Sequence, residues 1–285
     1  MKQGVNCGQT DLIYWLSAVL ISCFGLVSAP SFAASSLAEA LTLEHRLEST
    51  ARDTFRHPTE TLEFFDVKPD QTVIEIWPGG GWYTEILAPY LRDAGKLYAA
   101  HFDPEADKEY FQKSRQKFLK KLEAKPELYK KVEVTAFATN KPFEIAPAAS
   151  ADRVLTFRNL HNWYMNDQQD EGVKTAFKAF YKALKPGGIL GVVEHRLPKS
   201  RPESAQDKSG YMHQDYVIRM AKAAGFKLVA SSEINANKQD TTDYAEGVWS
   251  LPPSLRGDPA HQVRFQAIGE SDRMTLKFMK PNKAE

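Results

Sequence analysis

The chain has 285 residues, 42% of them hydrophobic and 26% charged, so it can bury a large apolar core and intrinsic disorder is not expected. Lysine and arginine number 37 against 36 aspartate and glutamate residues. This balance gives no indication of a polyanionic partner, and nucleic acid is excluded from the expected partners.

Residues 1–33 have the pattern of a secretory signal peptide. Lys2 precedes an apolar run at 12–27, and Ser31-Phe32-Ala33 has the small-x-small form of a cleavage site. The run is about 16 residues long, shorter than the ~20 that a membrane-spanning helix needs. We therefore expect cleavage after Ala33 and no stable membrane insertion of the mature protein.

The two cysteines, Cys7 and Cys23, both lie in this leader, so the mature protein is expected to have no disulfide and to depend on its core for stability. Residues 20–23 resemble a lipobox, and lipid anchoring at Cys23 is the alternative to cleavage after Ala33. Against it, the apolar run continues past that cysteine to residue 27. The predicted destination is the periplasm of a Gram-negative bacterium.

After the leader, residues 34–58 are predicted to form a helical extension, because apolar residues recur at helical spacing over 37–55. Residues 59–285 are assigned to one domain, whose first helix is expected to be capped by Thr59. Within it, five predicted strands alternate with four helices. The strands are at 72–76, 96–102, 131–138, 153–158 and 189–194, and the helices are at 84–91, 104–125, 172–184 and 214–224.

The strand and helix alternation implies a parallel sheet that right-handed crossovers cover on both faces. Residues 185–188 are predicted to form a tight turn before the fifth strand. The last two strands, at 226–233 and 273–279, have no helix of adequate length between them, so they should form an antiparallel edge pair. The predicted fold is α/β, a doubly wound, seven-stranded, mostly parallel sheet with a reversed edge hairpin.

The first predicted strand runs directly into a glycine-rich loop, Pro78-Gly79-Gly80-Gly81, and a helix follows. Glycines allow the backbone to turn sharply and to approach a ligand closely, and the following helix offers free N–H groups. This position between a buried strand and a helix indicates a ligand-binding loop. A tight connection without a ligand is the alternative.

Three segments resemble the class I S-adenosylmethionine-dependent methyltransferases, and the resemblance covers roughly residues 59–280. They are 73–81 (VIEIWPGGG), 157–163 (FRNLHNW) and 183–190 (ALKPGGIL). More narrowly, the PGGGWY, GVWSLPP and GESDRM segments resemble exported bacterial proteins that are predicted methyltransferases. The resemblance implies a Rossmann-like fold, S-adenosylmethionine as cofactor and methyl transfer to a small-molecule acceptor.

The resemblance also implies which residues bind the cofactor. Gly79 and Gly81 would contact its methionine end, and Glu75 would organise the loop. The complete set of cofactor-binding residues expected from the matching positions is Glu75, Pro78, Gly79, Gly81, Tyr83, Thr84, His101, Asp103, Asn140 and Asn159.

The sequence departs from the family at three positions of the cofactor site. Trp77 stands at the first loop glycine, and His101 stands where an acidic residue binds the ribose, with Asp103 two residues later. Phe137, followed by Asn140, stands where a polar group holds the adenine. Each lost charge-assisted hydrogen bond costs about 1.5 to 3 kcal/mol, so weakened or altered cofactor binding is expected.

Three histidines, His101, His161 and His195, are predicted at or just beyond the carboxyl ends of strands two, four and five, with Glu194 beside the last. In an open parallel sheet those ends form the ligand-binding edge. The histidines are candidate acid/base groups, metal ligands if they converge, or separate solvated side chains. We take His161 and His195 as candidate catalytic residues and assign no metal.

Two functions are consistent with these patterns. The first is methyl transfer from S-adenosylmethionine by in-line displacement, in which positioning contributes most of the rate enhancement. The second is an exported small-ligand-binding protein on the same fold, without methyl transfer. The aromatic residues expected near the same edge either pack or line an acceptor pocket that the loop between the last two strands closes. They are Trp82, Tyr83, Trp163, Tyr164, Tyr244 and Trp249.

Overall fold

The computed structural model describes residues 1, 3, 4, 34, 36–166 and 169–282. The predicted apolar run at 12–27, the cleavage site Ser31-Phe32-Ala33 and both cysteines lie outside these residues. The chain divides into two units, 1–31 and 32–285, and the architecture below is that of the second. Among the residues described, no helix is both long enough and apolar enough to cross a membrane.

The described residues contain one sheet in the order β3-β2-β1-β4-β5-β8-β7, and β6 pairs with β5 beside this path. Neighbours from β3 through β5 are parallel, whereas β8 is antiparallel to both β5 and β7. This confirms the mostly parallel sheet with a reversed edge pair. The strands are β1 (Thr72–Ile76), β2 (Lys96–Phe102), β3 (Glu133–Phe137), β4 (Ala151–Phe157), β5 (Leu184–Leu197), β6 (Met212–His213), β7 (Lys227–Ser232) and β8 (Arg273–Met279).

Helices cover both faces of the sheet. They are α1 (Leu37–Thr42), α2 (Asp53–Arg56), α3 (Pro58–Phe64), α4 (Thr84–Leu91), α5 (Glu109–Ala124), α6 (Pro126–Tyr129), α7 (Leu160–Asn166), α8 (Asp170–Ala183), α9 (Gln206–Ser209), α10 (Gln214–Ala223) and α11 (Gln262–Ile268). The segment predicted as a turn at 185–188 is part of β5. The short helix α7 was not predicted.

The N-terminal extension is not the predicted single helix. It consists of α1, two 3₁₀ turns (Glu44–Arg46 and Thr50–Arg52) and α2. His57 ends α2 because its φ is 41°, in the left-handed region, and Pro58 begins α3. Proline is favoured there, since its missing N–H has no partner in a first turn. Thr59 therefore lies inside α3, and the predicted cap at that residue was wrong.

The sheet is buried between two apolar clusters, and β1 contributes to both. Val73 packs in the cluster beneath α3 and α4, whereas Ile74 and Ile76 pack in the cluster beneath α8 and α10. A strand buried on both faces is typical of a parallel sheet covered by helices. Because β1 to β5 are parallel, the segments that follow them meet at the carboxyl-end edge of the sheet. Polar side chains at this edge lie outside the apolar core.

Candidate functional site

A cavity of about 530 Å³ lies at the carboxyl-end edge of the sheet. Small-molecule sites have volumes of about 300 to 1,000 Å³, so a metabolite or cofactor could occupy it. The segments that line the cavity include residues 48–56, the loop after β1, residues 157–162 at the end of β4, and the loop between β7 and β8, and residues of β2, α5 and β5 also contribute to the wall.

The glycine loop leaves open space on its cavity side. A Cβ atom added to Gly79 or Gly80 would meet no atom within 4 Å, and Gly79 has a φ of 58° that suits glycine. Gly81 differs, because an added Cβ would lie 3.0 Å from the Phe118 ring, and Gly81 does not line the cavity. Gly79 and Gly80 thus form the surface that a ligand can approach.

Glu75 fixes the base of this loop. The Glu75 side chain is buried, and its Oε2 accepts a hydrogen bond of 2.6 Å from Thr84 Oγ1. Burial raises the pKa of Glu75 to about 7, although the hydrogen bond from Thr84 and the charge of Lys121 act in the opposite direction. The contact joins β1 to the first turn of α4 and so holds both ends of the loop.

Two further predicted residues line the same cavity. Asn159 Nδ2 donates to the Ile76 carbonyl at 2.9 Å, which ties the end of β4 to the end of β1. The Tyr83 ring stacks on Phe157 with 3.6 Å between ring centroids. Both side chains therefore have fixed positions in the wall, and the remaining predicted wall residue is Pro78.

Trp77 lines both the main cavity and a second cavity of about 270 Å³, as do Phe102 and Phe111. Its indole Nε1 donates to the Phe137 carbonyl at 2.8 Å. The rings of Phe102 and Trp163 lie 4.7 and 5.4 Å from it between centroids. The indole thus occupies the space between the ends of β1, β2 and β3.

The residues predicted at the ribose and adenine ends do not line the main cavity. His101 is fully buried, accepts from Phe102 N–H and donates to the Gly79 carbonyl at 3.1 Å, and burial lowers its pKa to about 4. Asp103 forms an ion pair of 2.7 Å with Lys141, and with Asn140 it lines the second cavity.

These placements decide how S-adenosylmethionine fits. Its methionine end fits the open surface of Gly79 and Gly80, with Glu75 behind the loop. Its adenosyl end would have to pass the Trp77 indole to reach Asp103 and Asn140 in the second cavity. His101 is turned toward Gly79. The assignment of individual cofactor-binding residues stays a prediction.

The two candidate catalytic histidines converge on the main cavity. His161 and His195 both line it, with 5.2 Å between ring centroids. Glu194 Oε1 accepts from His161 Nδ1 at 2.9 Å and from His195 N–H, while its Oε2 accepts from Leu160 N–H. His161 Nδ1 therefore carries a hydrogen, which leaves its Nε2 as an acceptor.

The His195 side chain has its own hydrogen-bond partner. Its Nδ1 lies 2.5 Å from Ser271 Oγ, and burial, followed by the charges of His161 and Arg158, holds its pKa well below the ordinary value. Ligand atoms of His161, Glu194 and His195 lie within 4.8 Å of one another, so this donor set could approach a metal ion. His161 already uses Nδ1 on Glu194, which suits an acid/base role as well.

The loop between β7 and β8 covers the cavity from the side of the histidines. Trp249 lines the cavity, and its ring lies 5.9 Å from the His161 ring between centroids. Trp82 also lines the cavity and lies against Arg56. By contrast Trp163 is a core residue and Tyr244 packs on Phe265. The predicted aromatics therefore divide between packing and cavity wall.

Sequence reasoning did not identify a group of arginines around Glu270, of which Arg52, Arg56 and Arg158 line the cavity. Glu270 accepts from Arg52 at 2.6 Å, Arg56 at 3.3 Å and Arg273 at 3.1 Å. Burial alone would raise the pKa of Glu270, but these guanidinium groups and Arg158 lower it to about 2. Arg158 directly follows β4, and this position at the sheet edge was the available signal.

Solved structures of similar architecture support the fold assignment. An S-adenosylmethionine-dependent methyltransferase from Aquifex aeolicus is 14% identical with a TM-score of 0.53, and the match covers 87% of this chain and 100% of that one. A geranyl diphosphate methyltransferase in complex with S-adenosylmethionine is 12% identical with a TM-score of 0.51, covering 88% and 94%.

A third similar structure is the [4+2]-cyclase SpnF, 17% identical with a TM-score of 0.52 and 80% coverage of each chain. No protein-family model and no curated protein matches the sequence. Identities this low establish architecture, and one architecture hosts several chemistries. The chain has the α/β fold of the class I S-adenosylmethionine-dependent methyltransferases.

Proposed function

We propose that the protein is a methyltransferase that transfers the methyl group of S-adenosylmethionine to a small-molecule acceptor in the 530 Å³ cavity. The observation that supports this best is that one cavity wall contains both the open glycine surface at Gly79 and Gly80 and the histidine pair His161 and His195. When bound, the cofactor supplies an electrophilic methyl group.

Different residues of the chain would bind the cofactor and accept the proton. Gly79 and Gly80, supported by the contact between Glu75 and Thr84, would hold the methionine end of the cofactor. His161, oriented by Glu194, would accept the proton of the acceptor nucleophile at Nε2. A positioned general base contributes about 10²- to 10⁴-fold to a rate.

A calorimetric titration of the protein with S-adenosylhomocysteine tests this function. We expect saturable binding in the micromolar range. Gly80→Val should weaken it at least tenfold, since the added side chain enters the open space above the loop and meets no protein atom within 4 Å at its Cβ. Gly80→Ala should have a smaller effect, and neither variant should change the unfolding temperature by more than a few degrees.

The second candidate function is binding of a different small molecule without methyl transfer. The position of the Trp77 indole favours it, because the indole lies between the glycine loop and the second cavity, which contains the predicted adenosyl-binding residues Asp103 and Asn140. Absence of S-adenosylhomocysteine binding at millimolar concentration, in a folded protein, would contradict methyl transfer and favour this candidate.

We further propose that the protein is exported to the periplasm and acts there after cleavage behind Ala33. The charged Lys2, the apolar run at 12–27 and the small residues before Ala34 support this proposal. N-terminal sequencing of the exported protein should find Ala34 as the first residue. A lipid-modified Cys23 at the N-terminus would contradict it.

A further inference from the structure

The arginine side of the cavity carries more positive charge than its acids balance. Arg52, Arg56 and Arg273 all donate to Glu270. Arg158 lines the same cavity, and among the described residues its guanidinium has no hydrogen bond or ion pair. One carboxylate, Glu270, is therefore shared by three guanidinium groups, and Arg158 adds a fourth positive charge near them.

The other carboxylates that line the cavity do not supply the negative charge that would balance Arg158. Glu75 accepts a hydrogen bond from Thr84, and burial raises its pKa to about 7. Glu85 is paired with Lys121 at the glycine loop. Glu48 is exposed at the rim, where water screens its charge. The positive charge at Arg158 is thus left for a ligand.

Arg158 is also held toward the cavity by its backbone. Its φ is 62°, a left-handed conformation that is uncommon for a residue with a Cβ, and its N–H donates to the Val193 carbonyl at 2.7 Å. Its charge contributes to lowering the pKa of Arg56 and of His195, after burial in both cases. The guanidinium therefore lies close enough to act on both Arg56 and His195.

We propose that Arg158, together with Arg52 and Arg56, forms a subsite for an anionic oxygen group, a carboxylate or a phosphate, on the acceptor molecule. A guanidinium presents forked N–H donors that match the paired oxygens of such groups. Since Arg158 lies three residues before His161, the subsite would anchor the acceptor beside the acid/base pair. The identification of the bound molecule as a methyl acceptor rests on the proposed function, whereas the anion subsite does not.

Two anions test the subsite by calorimetry, inorganic phosphate and benzoate, whose ring suits the wall formed by Trp82 and Trp249. We expect saturable binding of at least one of them to the wild-type protein. Arg158→Gln should weaken it at least tenfold, and so should Arg52→Gln at the partly exposed edge of the group. Arg264→Gln, which removes an exposed arginine of α11, should leave it unchanged.

A repeat of the titration with saturating S-adenosylhomocysteine identifies the source of the anionic group. Anion binding that persists supports a subsite for the acceptor, whereas anion binding that is abolished assigns the arginines to the cofactor's own carboxylate and overturns the proposal. Equal binding by the wild type and Arg158→Gln would also overturn it. If S-adenosylhomocysteine does not bind but Arg158-dependent anion binding remains, the subsite stands and methyl transfer fails.

Discussion

Replacing Trp77 by glycine tests whether the indole closes the adenosyl position. Trp77 has a φ of 47°, and the resemblance places a glycine at this point of the loop. Removing the indole would join the 530 and 270 Å³ cavities, which both have Trp77 in their walls. Asp103 and Asn140, which line the second cavity, would then become accessible from the glycine loop.

The cost to stability follows from the contacts that are lost. The Trp77 side chain is 92% buried, since its exposed fraction is 8%, and its Nε1 donates to Phe137 O. Truncation of a buried tryptophan costs about 3 to 5 kcal/mol. Glycine adopts the left-handed conformation without steric strain, and this offsets about 1 to 2 kcal/mol of the cost. A net loss of about 1 to 4 kcal/mol in the free energy of unfolding is therefore expected.

Urea unfolding measures this loss, and calorimetry measures the affinity for S-adenosylhomocysteine. We expect the Trp77→Gly protein to bind S-adenosylhomocysteine at least tenfold more tightly than the wild type, about 1.4 kcal/mol. Phe180→Ala is the control, because it removes a buried ring of the same core and does not touch the cavity. An unchanged or reduced affinity in a folded Trp77→Gly protein would show that the indole does not obstruct cofactor binding.

Three carboxylates give further predictions, each measured by urea unfolding. Burial raises the pKa of Glu75 in the folded protein from 4.5 to about 7. The free energy of unfolding of the wild type should therefore fall by up to about 3 kcal/mol as the pH rises from 4.5 to 7. The Glu75→Gln variant should not show this fall. Glu194→Gln should cost about 3 kcal/mol at pH 7, because an amide replaces a carboxylate that accepts three N–H groups. Glu270→Gln should cost about 3 to 5 kcal/mol at pH 7, since buried Arg56 and Arg273 lose their partner. In the wild type the low pKa of Glu270, about 2, keeps its contribution until the pH falls from 4.5 toward 2. Loss of less than 1 kcal/mol in either of the last two variants would contradict the burial argument.

The sheet and the position of its binding edge could be predicted from the sequence because they depend on local patterns. The residues of β1 form a short apolar run rich in β-branched side chains, and glycines follow it directly. This local composition is enough to predict a buried strand that ends in a loop. His161 follows β4 and His195 lies near the carboxyl end of the adjacent parallel strand β5, so the topology alone brings them together. The N-terminal extension was predicted less well, since His57 and Pro58 interrupt a helical pattern that spacing alone does not detect.

The remaining parts of the site depend on contacts between distant residues. Arg52 and Arg56 reach Glu270 across 218 and 214 residues of sequence, and no local pattern indicates this pairing. The direction of the Trp77 side chain depends on the Phe137 carbonyl, 60 residues away, and on the rings around it. The sequence showed that Trp77 was unusual in its position, but its consequence for the cavity required the folded structure.

A crystal structure of the protein grown with saturating S-adenosylhomocysteine would show directly where the cofactor binds. We expect the homocysteine end of this molecule to lie against Gly79 and Gly80, in the cavity that His161 lines. A cavity without the molecule at saturating concentration, or the molecule bound away from the glycine loop, would contradict this expectation.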